Sequence, residues 1–167
     1  MIDKDTFCRL IKQNEKVSNI YPGAINTARI VTILKDNKPN VICAYFRIGN
    51  GSFVDNFNSG GMVAPIDVKT GIVSDRAIDK KKNLYEVHPA TGNIIKGFKF
   101  PDWEEALKMC KEAAKVVPEM AYIGWDVAFS DKGPVFVEAN EFPGHDIYQL
   151  PEHTPKKIGM MPKFNSI

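Results

Sequence analysis

The sequence predicts an α+β fold, a mainly antiparallel sheet with flanking helices. Three observations carry that reading. Branched, apolar runs at residues 28–34, 41–48 and 62–68 are separated by short turn sequences, so successive strands join as hairpins. Residues 102–117 carry a single long helical stripe. Two alternating apolar runs then flank Asp131-Lys132-Gly133, a further hairpin. Strands and helices do not alternate as in a βαβ nucleotide fold, and there is no Gly-x-Gly-x-x-Gly or phosphate-loop lysine motif.

Each element follows from its local pattern. Phe7, Leu10 and Ile11 lie at helical spacing within residues 3–14, with Asp3 as a cap. Tyr21-Pro22-Gly23 breaks the chain. Ala28-Arg29-Ile30-Val31-Thr32-Ile33-Leu34 is a strand, Asp36-Asn37-Lys38-Pro39-Asn40 a turn, and residues 41–48 its hairpin partner. Residues 55–61 form a polar, glycine-bearing loop. Residues 84–87 and 94–98 read as strands around His88-Pro89-Ala90-Thr91-Gly92-Asn93. Asp102 is the expected N-cap of the helix whose buried stripe is Ala106, Leu107, Cys110, Ala113, Ala114 and Val117. The tail, residues 151–167, reads as a loosely docked extension after a first unit spanning 1–150.

The chain has 167 residues, 44% hydrophobic and 25% charged, with a net charge of +2. That suits one globular core and gives no argument for nucleic acid or an anionic membrane. No apolar run is long enough to span a bilayer. The first residues lack a signal-peptide core, and Cys8, Cys43 and Cys110 form no Cys-x-x-Cys pair, so a cytoplasmic protein with reduced, packed thiols is expected. No Cys/His cluster has zinc spacing.

The final hairpin holds the first candidate chemistry. A three-residue loop ending in Gly133 sets Ser130 against Pro134 and Asp126 against Glu138. Alternation then places Asp126, Ala128, Phe136, Glu138 and Asn140 on one face. Trp125, Val127, Phe129, Val135, Val137 and Ala139 take the other, apolar face. Like charges directly opposed across strands are destabilising. A hard divalent cation held by Asp126, Glu138 and the Asn140 amide oxygen accounts for them, and magnesium suits that donor set. An amphipathic hairpin whose acids simply face water accounts for them equally.

Arg29 and Arg47 lie inside otherwise apolar strands, where an arginine needs a partner. Pairing of the two strands brings both to one face, where a guanidinium can clamp phosphate or carboxylate. Asn56 and the Gly60-Gly61 backbone offer neutral donors nearby. A metal, two arginines and an amide suit phosphoryl transfer; solvent-reaching arginines on edge strands are the alternative. His88 reads as a structural hydrogen-bonder, His145 as a cap, and Lys80-Lys81-Lys82 as a solvated turn.

The order Asp126, Glu138-Ala139-Asn140, Pro143-Gly144 resembles the closing metal motif of ATP-grasp ligases. Arg29-Ile30-Val31, Arg47 and Asn56-Phe57-Asn58-Ser59-Gly60-Gly61 resemble the glutamate-ligase branch. Ile25-Asn26-Thr27-Ala28-Arg29, His88-Pro89-Ala90-Thr91-Gly92 and Ile123-Gly124-Trp125-Asp126 are similar to the ATP-grasp proteins associated with sugar transfer and polysaccharide biosynthesis. The resemblance covers roughly residues 7–149. It implies the C-terminal ATP-grasp lobe, with ATP and Mg2+ as cofactors and Asp126, Glu138 and Asn140 as metal ligands. Arg29 and Arg47 would contact the γ-phosphate or the carboxylate it activates. Asn56, Gly60 and Gly61 would shape the pocket, and Phe136 would border the nucleotide. D-alanine–D-alanine ligases carry an arginine two residues before the first metal aspartate; here that position is Gly124, and Arg47 is the substitute.

The reaction implied is phosphorylation of an unidentified carboxylate, then attack by an amine or thiol on the acyl-phosphate, in polysaccharide or sugar-conjugate synthesis. The lobe that covers the nucleotide has no counterpart in these residues, so the expected partner is an N-terminal lobe from another chain or a longer gene. The isolated chain is then expected to be inactive, and its open cleft face would allow a homodimer. The alternative is an inactive remnant that binds nucleotide, metal or protein.

Overall fold

The computed structural model describes residues 11–51, 54–154 and 158–167. The expected helix over residues 3–14 falls mainly outside them. Within them, Gln13 is extended and bridges Ser130. Helix α1 (Glu15–Ile20) begins after Asn14, whose side chain accepts the Lys16 amide at 3.0 Å. Such an N-cap satisfies a backbone donor that the helix leaves free. Val17 and Ile20, three apart, are its buried face.

Among the described residues seven strands form one antiparallel sheet: β1 (Thr27–Lys35), β2 (Lys38–Ile48), β3 (Met62–Ile66), β4 (Ala77–Asp79), β5 (Leu84–Tyr85), β6 (Tyr122–Ser130) and β7 (Gly133–Glu141). Their order is β5-β4-β3-β2-β1-β6-β7, so the late hairpin adds to the sheet beside β1. Asp36 and Asn37, with φ of 50° and 58°, make the tight β1–β2 turn. Two consecutive positive φ values match the right-handed twist of the strands they join. The strands expected at 84–87 and 94–98 shorten to β5 and an isolated Val87–Ile94 bridge.

One sheet face packs under α2 (Trp103–Ala113). Trp103, Ala106 and Cys110 bury against a core that includes Ile30, Phe46, Val127 and Phe129. Asp102 occupies the cap position in a left-handed conformation, φ 47°, but its side chain makes no cap bond. The helix start is tied down instead by Trp103, whose Nε1 donates to the Val68 carbonyl at 2.9 Å. Val117, expected in the stripe, lies beyond the helix and is exposed.

The opposite face is half apolar and half polar. Val31, Cys43, Tyr45 and Val63 pack with Phe57, Tyr148 and Met160, joined by Phe164 of α3 (Met161–Asn165). The described part of the tail therefore supplies core contacts rather than docking loosely. Burial pushes the thiols of Cys43 and Cys110 up to about 12, which suits packing, not reactivity. Among the described residues no helix is long and apolar enough to cross a membrane.

The β6–β7 hairpin corrects the expected register at two points. Ser130 pairs with Gly133, so the loop is Asp131-Lys132 and one residue shorter than expected. A bulge at Val137 then restores the count, because Val127 pairs with Phe136 but Asp126 pairs with Glu138. Between loop and bulge, every β7 side chain is therefore on the face opposite to the one expected. Phe136 stands on the core face, its ring 4.9 Å from that of Trp125. Val135 pairs with Ala128 on the acid face and, like Val137, is exposed.

Candidate functional site

The polar half of the second face is assembled by strand pairing. β1 sets Arg29 beside Asp126 of β6 and Thr27 beside Arg47 of β2. All four side chains therefore share one face. Arg29 Nε donates to Asp126 Oδ1 at 2.5 Å and its Nη2 to Oδ2 at 2.8 Å. Arg47 Nη1 donates to the same Oδ2 at 2.5 Å. Asp126 is 3% exposed and accepts from both arginines at once.

Arg47 has a second anion. Its Nη2 lies 3.2 Å from Asp55 Oδ1. Asp55 Oδ2 accepts the Thr27 amide at 3.1 Å and the Thr27 hydroxyl. Two guanidinium groups thus meet two carboxylates, a quartet without net charge in which all but the half-buried Arg29 are buried. Burial drives the Asp126 carboxyl up, but Arg29 and Arg47 outweigh it and hold the group below its ordinary 3.8. Asp55 stays above 3.8, because burial exceeds what Arg47 and Thr27 return. Burial depresses Arg29, and Asp126 more than compensates. Arg47 Nε is buried with no hydrogen-bond partner among the described residues.

Asp55 and Thr27 are the participants the motif reading did not single out. Charge balance calls for a second buried anion beside Asp126 without saying which acid supplies it, and Thr27 carries no charge that would mark it. Asp55 precedes Asn56 in the glycine-bearing loop. Asn56 caps the 3-10 turn Phe57–Ser59 through the Asn58 amide at 3.2 Å. Its carbonyl accepts the Ser59 and Gly61 amides at 2.9 and 3.0 Å. Gly60 has φ 96°, and a Cβ on Gly61 would sit 2.5 Å from the Asp55 carbonyl oxygen. Asn56, Gly60 and Gly61 in this way fold the loop that presents Asp55.

Glu138 is exposed across from Asp126, and its charge helps raise Arg29. Asn140 is half-buried opposite Gly124, with Nδ2 3.5 Å from the Gly124 carbonyl. The register brings Asp126, Glu138 and Asn140 onto adjoining positions of one hairpin. Among the described residues no group of three or more His, Cys, Asp or Glu forms a metal centre. Any cation here would rest on two acids and an amide. Gly124 has a spatial reason: a Cβ there would lie 2.7 Å from Pro143 Cβ and 3.1 Å from Arg29 Cδ. Arg29, reaching from the neighbouring strand, fills the space of a side chain at 124. Both Arg29 and Arg47 reach the aspartate.

The other histidines are held by backbone and aromatic partners. His88 is fully buried, stacked on Tyr21 at 4.9 Å, with Nε2 2.9 Å from the Gly49 carbonyl and Nδ1 accepting the Ala90 amide at 3.2 Å. His145 Nδ1 lies 2.6 Å from the Tyr148 hydroxyl. Lys80 departs from a purely solvated turn by donating to Asn58 Oδ1 at 3.1 Å.

A family model described as sugar-transfer associated ATP-grasp matches residues 3–161. Comparison with curated proteins and with solved structures gives no match. The matched span takes in the arginine strands, the Asp55 loop and the whole acidic hairpin, and the family brings ATP binding and an ATP-dependent, ligase-like chemistry associated with sugar transfer. On a match covering nearly all of its length, this chain belongs to the sugar-transfer associated ATP-grasp family.

Proposed function

We propose that the Arg29–Arg47–Asp126 face, with Glu138 and Asn140 beside it, is the phosphate end of an ATP site serving carboxylate activation. The observation that carries this reading is one buried aspartate gripped by two arginines, Arg47 buried and Arg29 half-buried, and faced across the hairpin by a second acid. A fold stabilised only by packing has no use for that charge density, since buried ion pairs contribute little net stability.

The residues fit magnesium as a ligand set. Asp126, Glu138 and the Asn140 amide would hold it, a small number of hard oxygens that leaves room for water and phosphate. When bound, the ion would neutralise charge on the polyphosphate oxygens. The unpartnered Nε of Arg47 marks donor capacity that the protein itself does not use. Arg29 and Arg47 orient the γ-phosphoryl group and the substrate carboxylate by forked hydrogen bonds. A carboxylate oxygen attacks the γ-phosphorus, ADP leaves, and an amine or thiol then displaces phosphate from the acyl group. Phe136 packs on the far side of the sheet, so this reading gives it no contact with nucleotide.

Titration calorimetry with Mg2+ and ATP tests the site. Glu138→Ala is the informative variant because Glu138 is exposed and its loss leaves the fold intact. Affinity is expected to fall at least about tenfold, the loss seen even when a group that only orients a metal ligand is removed. Identical titrations for the variant and the parent would refute the ligand set.

A further inference from the structure

Asp126 is already spoken for. Its Oδ1 accepts from Arg29, and its Oδ2 accepts from Arg29 and from Arg47. A carboxylate offers about four acceptor positions, so three are filled by cationic donors. The remaining partners of the two guanidinium groups leave no spare negative charge: Arg47 also holds Asp55, and Asp55 is held by Thr27. A dication entering this neutral quartet alone would sit against two arginines with only Glu138 to offset it. An anion entering with it meets a different situation, because the arginines can transfer donors from Asp126 to the anion.

Resting on the ATP-site reading above, we infer that Arg29 and Arg47 hold Asp126 against metal until a phosphate-bearing anion draws them away, so that divalent cation and phosphate each bind more tightly in the presence of the other. Asp55 is the positioning residue of this lock. It keeps one arm of Arg47, Nη2, at 3.2 Å while Nη1 changes partner. Nη1 is the arm that is free to exchange, because its one acceptor among the described residues is Asp126 Oδ2. Coupling of this kind is reciprocal: whatever factor phosphate adds to metal affinity, metal adds to phosphate affinity.

The test uses Mn2+ in place of Mg2+, with free ion counted by electron paramagnetic resonance, and inorganic phosphate as the anion. The parent chain should bind Mn2+ weakly alone and at least about tenfold more tightly in saturating phosphate, within the range usual for linked sites. Arg47→Gln should do the reverse of a simple loss: Mn2+ alone binds more tightly than to the parent, and phosphate binds more weakly. Thermal melts establish that the variant is folded. Should Arg47→Gln fail to fold, the parent titrations with and without phosphate still decide the matter. Equal Mn2+ affinity in the two conditions, or no gain in folded Arg47→Gln, overturns the lock while leaving the ATP site standing. A parent chain that binds neither Mn2+ with phosphate nor ATP with Mg2+ overturns both.

Discussion

A single carboxylate, Asp126, sets the character of the polar face. It lies nearly out of contact with solvent and is the point where three strands exchange charge. The residue that makes this possible carries no charge at all. Gly124 leaves open the volume through which the Arg29 side chain passes and against which Pro143 packs. Gly124→Ala is therefore expected to destabilise the fold by about 1–3 kcal/mol, the usual range for overpacking. It should also weaken nucleotide binding by displacing Arg29. Urea unfolding and calorimetry of the same variant read the two effects, and an alanine tolerated without change in either would show that Pro143 yields freely. The residues of this face were largely legible in the sequence, because an arginine inside an apolar strand and opposed acids on a hairpin are both anomalies of pattern. Asp55 was not, because an acid in a polar loop looks ordinary until the loop is seen to turn inward.

The hairpin of β6 and β7 shows how an element can reach the expected pairing by an unexpected route. Its loop is one residue short of the expected length and its bulge at Val137 adds one residue back. Asp126 thus meets Glu138, while Phe136 lands on the core side against Trp125. The bulge is what lets Phe136 pack on the core face near the loop while Glu138 and Asn140 share the face of Asp126 near Pro143, a re-aiming of side chains for which bulges are often used. Deleting Val137 should carry Glu138 and Asn140 to the opposite face or force the loop to reorganise, since a one-residue slip reverses every side chain beyond it. Binding of ATP with Mg2+ should be abolished although the sheet survives, with circular dichroism reporting the fold. Retained binding would mean that the acids act independently of register. The turn between β1 and β2 was readable as residues 36–40, although only Asp36 and Asn37 make it and β2 already begins at Lys38, whereas the bulge left no local mark: Val137 is an ordinary strand residue, and only the demands of Trp125 and Asp126 on opposite faces place it.

At the scale of the molecule, the sheet separates two environments: an apolar face under α2 and a face shared by the tail and the charge quartet. The loops at the β2 end are joined by buried polar groups, chiefly His88 and Asn26. Asn26 donates to the Tyr21 carbonyl at 2.7 Å and accepts the Gly49 amide at 3.0 Å. Burial holds His88 below its ordinary 6.5 against the opposing pull of Gly49, and burial likewise depresses His153. A folded state that disfavours the imidazolium binds fewer protons than the unfolded chain. Its stability is complete above the ordinary value of 6.5 and declines as pH falls through that value towards the folded one. Asp126, depressed, extends the loss below 3.8, and Asp55, raised, opposes it. Melting temperature should therefore drop between about pH 7.5 and about pH 5. His88→Gln, which keeps a donor for Gly49, should shrink that drop without removing it, because His153 still titrates. An undiminished drop in the variant would take His88 out of the account.

The sequence by itself determined the α+β class, the hairpins, the ATP-grasp likeness and the identity of Arg29, Arg47, Asp126 and Glu138 as anomalies needing a partner, with Asn140 on the face of the acids. These are properties of local pattern, since alternation, turn chemistry and the cost of burying charge are all written within a few neighbouring residues. Only the tertiary structure decided who the partners are. The insertion of β6 beside β1, distant in the chain, delivers Asp126 to Arg29 and Arg47. The inward turn of the glycine loop delivers Asp55. Strand order and bulge position are settled by packing two faces at once, a global condition that no short stretch of sequence contains.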